Sequence, residues 1–126
     1  MLLKDKFYTV LHREALSTNE AVFLCSLNPD CDVYRGHFPG KPVSPGVCNI
    51  EMIRECAEML TEKDLFISTI KQCRLTAVVS PAICPKVDVS VKVAFAEDGE
   101  SCSVEAHIRD DRQTYMELKG TFVVKG

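Results

Sequence analysis

From Lys86 the chain alternates with period two, setting Val87, Val89, Val91, Val93 and Phe95 on one side of an extended segment. Asp98-Gly99 follows, a favoured tight-turn pair, and then Cys102, Val104, Ala106 and Ile108 alternate with Ser103, Glu105, His107 and Arg109. A second polar turn, Asp110-Asp111-Arg112, leads to a segment in which Met116, Leu118, Phe122 and Val124 share a face. These three stretches predict an antiparallel meander. Upstream, Leu65 to Val79 is rich in β-branched and apolar residues and predicts one long strand, cut from the next by Pro81 and Pro85. Phe7 to His12 and Ala21 to Leu27 predict two shorter strands around Ser17-Thr18-Asn19.

One segment has helical spacing. Pro45 to Leu60 carries Val47, Cys48, Ile50, Met52, Ile53, Cys56, Ala57, Met59 and Leu60, which wrap most of the way round at about 100° per residue. Ser44 stands where a cap would sit, and Pro45 stands in the first turn, where a missing N–H does no harm. A helix this apolar must be buried. The expectation is an α+β fold, about six antiparallel strands around one central helix, as a single domain over residues 1–126. Periodicity does not give the strand order.

Composition narrows the function classes. The chain has 126 residues, 46% hydrophobic and 26% charged, which is enough for a core without staples. A formal charge of −3 without a basic run argues against nucleic-acid binding, which needs dense positive charge. The start, MLLKDKFYTVLHREAL, lacks the apolar stretch of a secretory leader, and no apolar run is long enough to span a bilayer. A cytoplasmic protein without membrane contact is expected. The seven cysteines are scattered, with no Cys-x-x-Cys pair, and read as small apolar residues. No phosphate loop, dinucleotide fingerprint or metal cluster is seen, so no cofactor is implied.

Chemistry concentrates between residues 34 and 51. Tyr34-Arg35-Gly36-His37-Phe38-Pro39-Gly40-Lys41-Pro42-Val43-Ser44-Pro45-Gly46-Val47 holds three prolines and three glycines, and His37 is its one imidazole. A stiff loop ending on a buried helix fixes a side chain in place. At the helix start the amides of Gly46 and Val47 lack intrahelical acceptors, and with the helix dipole they favour an oxygen gaining negative charge. Glu51 follows about one and a half turns on, roughly 7 Å along the axis. By itself Glu51 belongs to a polar stripe with Glu55 and Glu58, Arg54 beside it, which a helical wheel assigns to solvent. A lone loop histidine is likewise most often a surface or capping residue. Both bland readings weaken when the imidazole, the rigid loop, the helix start and the carboxylate are taken together.

Gly-His-Phe-Pro-Gly-Lys-Pro, then Pro-Gly-Val, then Glu51 resembles the signature of the 3-hydroxyacyl-[acyl-carrier-protein] dehydratases. The resemblance implies a hot-dog fold, a curved antiparallel sheet wrapped around a long helix. It also implies a homodimer or higher oligomer with composite sites, in which His37 faces Glu51 of the other copy. The catalytic pair is then His37 and Glu51, with Phe38, Gly46 and Val47 against the substrate and the Gly46 amide polarising the thioester carbonyl. The expected partner is acyl carrier protein bearing a 3-hydroxyacyl thioester, docked by basic residues drawn from Arg35, Lys41, Lys71, Arg74 and Lys86. The expected reaction is dehydration to the trans-2-enoyl thioester, with neutral His37 taking the α-proton and Glu51, kept protonated by an apolar surrounding or acting through water, helping the hydroxyl leave. A single-base variant, in which His37 shuttles the proton, fits the same residues. Two departures stand out: Glu55 replaces the family's usual Gln, and Pro85-Lys86-Val87 replaces Pro-Gly-Asp. They leave room for a specialised relative in secondary-metabolite or polyene synthesis. The competing readings are a hot-dog thioesterase and a non-catalytic acyl-thioester binder. The helix residues Met52, Ile53, Cys56, Met59 and Leu60 are candidates for an acyl tunnel but read first as core.

Overall fold

The computed structural model describes residues 3–36 and 43–125. Six strands form one antiparallel sheet: β1 (Tyr8–Ser17), β2 (Glu20–Leu27), β3 (Leu65–Leu75), β4 (Lys86–Phe95), β5 (Ser101–Arg109) and β6 (Thr114–Val124). Their spatial order is β1-β2-β4-β5-β6-β3. Two helices lie between β2 and β3, the short α1 (Val33–Gly36) and α2 (Gly46–Thr61). The helix packs against β2, β3 and β4, so the sheet curls round it in the hot-dog arrangement.

Period two explains the meander. Val87, Val89, Val91 and Val93 of β4 are buried, as are Cys102, Val104, Ala106 and Ile108 of β5, with their alternates turned outward. In β6, Met116, Leu118 and Phe122 point inward as the pattern predicts. Gly99 closes the β4–β5 hairpin at φ 70°, where a side chain is strained. Opposite this sheet, α2 buries Met52, Ile53, Cys56 and Ala57 completely. Burying a side chain such as Met52 or Ile53 contributes about 1.5–3 kcal/mol. These residues, with Leu60, are core; Met59 is half-buried. Five cysteines (25, 48, 56, 84 and 102) are buried, while Cys31 is half-buried and Cys73 exposed.

Besides β1, which runs on to Ser17 where Phe7 to His12 was expected, and Phe95, which is exposed although it alternates with the buried valines of β4, the structure departs from the sequence reading in four places. First, β3 stops at Leu75 instead of continuing to Val79, because the amides of Thr76 and Ala77 both turn to the Tyr115 carbonyl and end the ladder. Second, β3 is an edge strand with two bulges, and across one of them Gly120 of β6 comes so close that an added Cβ would lie 2.5 Å from the Thr69 carbonyl oxygen. Third, the loop start contains the four-residue α1, for which no periodic signal exists in so short a run. Fourth, Ser44 does not cap α2. Pro45 is the N-cap residue, and the Ser44 hydroxyl is buried and donates instead to Asn49 Oδ1 at 2.5 Å.

Candidate active site

His37 and Phe38, two of the expected site residues, lie outside the described residues, as does Lys41 of the basic set. The residues around that segment are placed. Tyr34 is buried, and burial pushes its phenol above the usual range. Its hydroxyl and the Nδ2 of buried Asn49 have no hydrogen-bond partner among the described residues.

The start of α2 is open. Cys48 and Asn49 donate back to the Pro45 carbonyl at 3.0 and 3.2 Å, while the amides of Gly46 and Val47 donate to no described residue. A Cβ built on Gly46 meets no described atom within 4 Å, and Val47 is 62% exposed. This end of the helix therefore presents two N–H groups without an acceptor among the described residues, at the positive end of a sixteen-residue dipole.

Glu51 lies farther along, its side chain 19% exposed. It lines a depression of about 320 Å³ with Arg54, Leu65, Phe66, Ile67 and Lys125. The Lys125 ammonium sits 4.4 Å from the centre of the Phe66 ring. The expected apolar surrounding for the carboxyl is not what Glu51 meets. Arg54 Nε donates to Oε1 and Oε2 at 3.2 and 3.1 Å, and another guanidinium nitrogen donates to Oε2 at 3.0 Å. Forked pairing of this kind is the geometry of an ionised carboxylate. Arg54 also pairs with Glu58 at 2.8 Å and donates to the Leu65 carbonyl at 3.3 Å. Burial opposes the guanidinium charge, but hydrogen bonding to Glu51, then the charges of Glu51, Glu58 and Glu55, hold it above its ordinary value.

Glu55 has a separate task. It is 3% exposed and accepts from the Leu3 amide at 2.8 Å, the Lys4 amide at 3.0 Å and the Tyr8 hydroxyl at 2.9 Å. Burial, then nearby Cys56 and Glu55, push the Tyr8 phenol upward, so it stays a donor. The stripe of three glutamates is thus not a solvated face. It divides into Glu55, which ties down the segment before β1, and Glu51 and Glu58, which flank Arg54.

The sequence reading passed over Arg54 as a partner, although its spacing of three from Glu51 and four from Glu58 marks both contacts. Phe66 and Lys125 carried no local signal; the β3–β6 register, with Leu65 opposite Val124, brings them to Glu51. Of the basic set, Lys71, Arg74 and Lys86 are exposed, and Arg74 lies 4.0 Å from Glu117.

A six-stranded antiparallel sheet curled round α2 defines a protein of the hot-dog class. The sequence model of the ApeI-like family, described as ApeI dehydratase, matches residues 13–117, and the chain belongs to that family. Among curated relatives, the 3-hydroxyacyl-[acyl-carrier-protein] dehydratase FabZ of Rhizorhabdus wittichii is 28% identical over 122 residues, covering 87% of this chain and 72% of its own. FabZ of Lactobacillus helveticus is 32% identical over 100 residues, covering 74% and 66%. Among solved structures, the dehydratase heterocomplex ApeI:P from Xenorhabdus doucetiae superposes with a TM-score of 0.67 at 24% identity, covering 91% of this chain and 96% of that one. A hypothetical thioesterase with coenzyme A from Streptococcus pneumoniae has the same TM-score at 8% identity, covering 94% and 86%. The shared fold therefore does not separate dehydration from thioester hydrolysis. Among the described residues, no helix is long and apolar enough to cross a membrane.

Proposed function

We propose that this chain is a dehydratase that converts 3-hydroxyacyl thioesters on acyl carrier protein to trans-2-enoyl thioesters, working as a homodimer. The observation that carries the reading is the position of Glu51, in a depression whose wall is the start of the edge strand β3. Beyond β3 no described strand pairs, and Phe66, Ile70 and Leu75 are exposed along it. A second copy pairing along this edge would cover those side chains and adjoin the depression that holds Glu51. In this arrangement His37 of one copy works with Glu51 of the other.

The chemistry needs a base, a group at the departing oxygen and a cradle for negative charge. Neutral His37 takes the α-proton, and the thioester oxygen that gains enolate character rests on the Gly46 amide, which has no other described acceptor. The Cβ–O bond then breaks, the Cα–Cβ double bond forms, and the hydroxyl leaves as water after gaining a proton. Glu51 stands at that oxygen, either as its acid or as the acceptor that holds imidazolium and water. Phe38 and Val47 are assigned to contact the substrate. Exposed Lys71, Arg74 and Lys86 supply local positive charge for an acidic carrier despite the overall negative charge.

Purified protein incubated with 3-hydroxyacyl thioesters on acyl carrier protein and on coenzyme A, followed by mass spectrometry, tests the reading. Loss of one water from the carrier-bound substrate is expected. Release of free thiol with no enoyl product identifies a thioesterase and overturns it.

A further inference from the structure

The helix residue between the two carboxylate environments has no role in the chemistry described above. Arg54 is only 12% exposed and reaches in two directions. One side is braced, because a terminal nitrogen pairs with Glu58 Oε1 at 2.8 Å and donates to the Leu65 carbonyl. Glu58 Oε2 in turn accepts the Leu65 amide at 2.8 Å, so both backbone groups of the first β3 residue are tied to the pair. The other side forks onto Glu51. A chain of contacts thus runs from the first residue of β3 through Glu58 and Arg54 to the Glu51 carboxylate.

We propose that Arg54 is a positioning residue that holds the Glu51 carboxylate aimed into the depression beside β3 as a hydrogen-bond acceptor, so that Glu51 orients the imidazole or water and does not donate the proton. The inference rests on the dehydratase reading and selects within it: the proton taken from the α-carbon by His37 is the one delivered to the leaving hydroxyl, and the carboxylate stays an acceptor throughout. No oxidant or additional acid is needed, since the imidazole returns to its neutral form in each cycle.

The charges facing Glu51 agree with this. On α2 they are Arg54 itself, Glu58 and Glu55, the last 3.9 Å from Arg54. The start of β3 contributes only Leu65, Phe66 and Ile67, and past the end of β6 stands Lys125. Inside the helix, burial, then Cys31, then Glu51 push the Cys48 thiol up, so it adds no competing charge. Arg54 is the one cation in direct contact with the carboxylate among the described residues. A lysine at position 54 preserves a positive charge but not the fork that fixes both oxygens.

The test compares wild type, Arg54→Gln and Arg54→Lys with a 3-hydroxydecanoyl N-acetylcysteamine thioester, together with carboxyl-carbon NMR at one fixed pH of protein labelled at glutamate, Glu51 being assigned through Glu51→Gln. For Arg54→Gln we expect kcat to fall roughly 10- to 100-fold while KM changes by less than about threefold. The Glu51 carbon signal should move from its wild-type position once the fork is lost. Arg54→Lys should recover part of kcat. A kcat or a carbon signal that stays at the wild-type value in Arg54→Gln overturns the assignment. If wild type shows no dehydration, the functional reading fails, and the carbon signal still decides whether Arg54 holds Glu51. If Arg54→Gln does not fold, a wild-type kcat in Arg54→Lys overturns the proposal.

Discussion

Two regions on either side of α2 hold carboxylates one turn apart and use them in opposite ways. Facing the segment before β1, Glu55 is sealed off and accepts three hydrogen bonds from Leu3, Lys4 and Tyr8. Facing the start of β3, Glu51 is half-buried, held by a single arginine and open to a depression. The first arrangement leaves the carboxylate little capacity for anything new, because its donors are already in place. The second restrains the group from one side and leaves the other available. Identical side chains on one helix thus separate into a structural tie and the group proposed to act in the chemistry through what stands opposite each.

The largest expected effect breaks the comparison at Glu51. Glu51→Gln keeps the shape and one acceptor for Arg54, and Glu58 still braces the guanidinium, so the melting temperature should move by only a few degrees. Turnover of a 3-hydroxyacyl carrier substrate should fall by about 10²- to 10⁴-fold, the usual range for a lost proton-transfer or orienting partner. Steady-state kinetics beside calorimetry measures both. Near-normal turnover removes Glu51 from the mechanism.

Glu55→Leu should do the reverse. It strands the Leu3 amide and the buried Tyr8 hydroxyl without an acceptor, and each unsatisfied buried group costs about 1–3 kcal/mol. A loss near 3 kcal/mol lowers the melting temperature by roughly 10 °C in a chain of this size. The folded fraction should retain kcat to within about threefold. If Glu55→Leu instead abolishes turnover at unchanged stability, the two carboxylates are not divided in this way.

Much of this division was hidden in the sequence, for physical reasons. The meander was legible because each strand buries one face, and period two prints that on the chain; β5 follows it throughout, while β4 breaks it at the exposed Phe95 and β6 at the consecutive buried pair Tyr115 and Met116. The helix was legible from its apolar spacing. The end of β3 was not, because Thr76 and Ala77 turn to Tyr115, a residue 38 or more positions away, and nothing local marks it. Glu51, Glu55 and Glu58 have helical spacing that looks like a solvent face. What ties Glu55 down is Leu3 and Lys4 before β1 and Tyr8 at its first position, about fifty residues upstream. The motif from His37 to Glu51 carried the family resemblance but gave no sign of the guanidinium that holds the carboxylate, since Arg54 reads as one more charge on a polar stripe.

A milder change sharpens the structural side. Tyr8→Phe leaves Glu55 with its two backbone donors and removes only the phenol, so a loss of about 1–2 kcal/mol is expected, read from urea unfolding. A loss as large as that of Glu55→Leu would mean that the phenol, and not the backbone amides, carries the tie.

The smallest stability effect carries the sharpest information about the open end of the helix. Gly46 has neither a positive φ nor a described neighbour within 4 Å of a built Cβ, so nothing described within the chain requires glycine there. Alanine is the better helix former, and Gly46→Ala should leave stability unchanged or raise it by up to about 1 kcal/mol. The methyl group nevertheless stands over an amide that, in the proposed site, must come within hydrogen-bonding distance of a thioester oxygen. Close backbone approach to a ligand is one of the few remaining reasons for glycine at such a position. A fall of at least about tenfold in kcat/KM, with the melting temperature unchanged or higher, is therefore expected. Unchanged kinetics would show that the oxygen rests elsewhere, and the cradle would then have to be sought away from the start of α2.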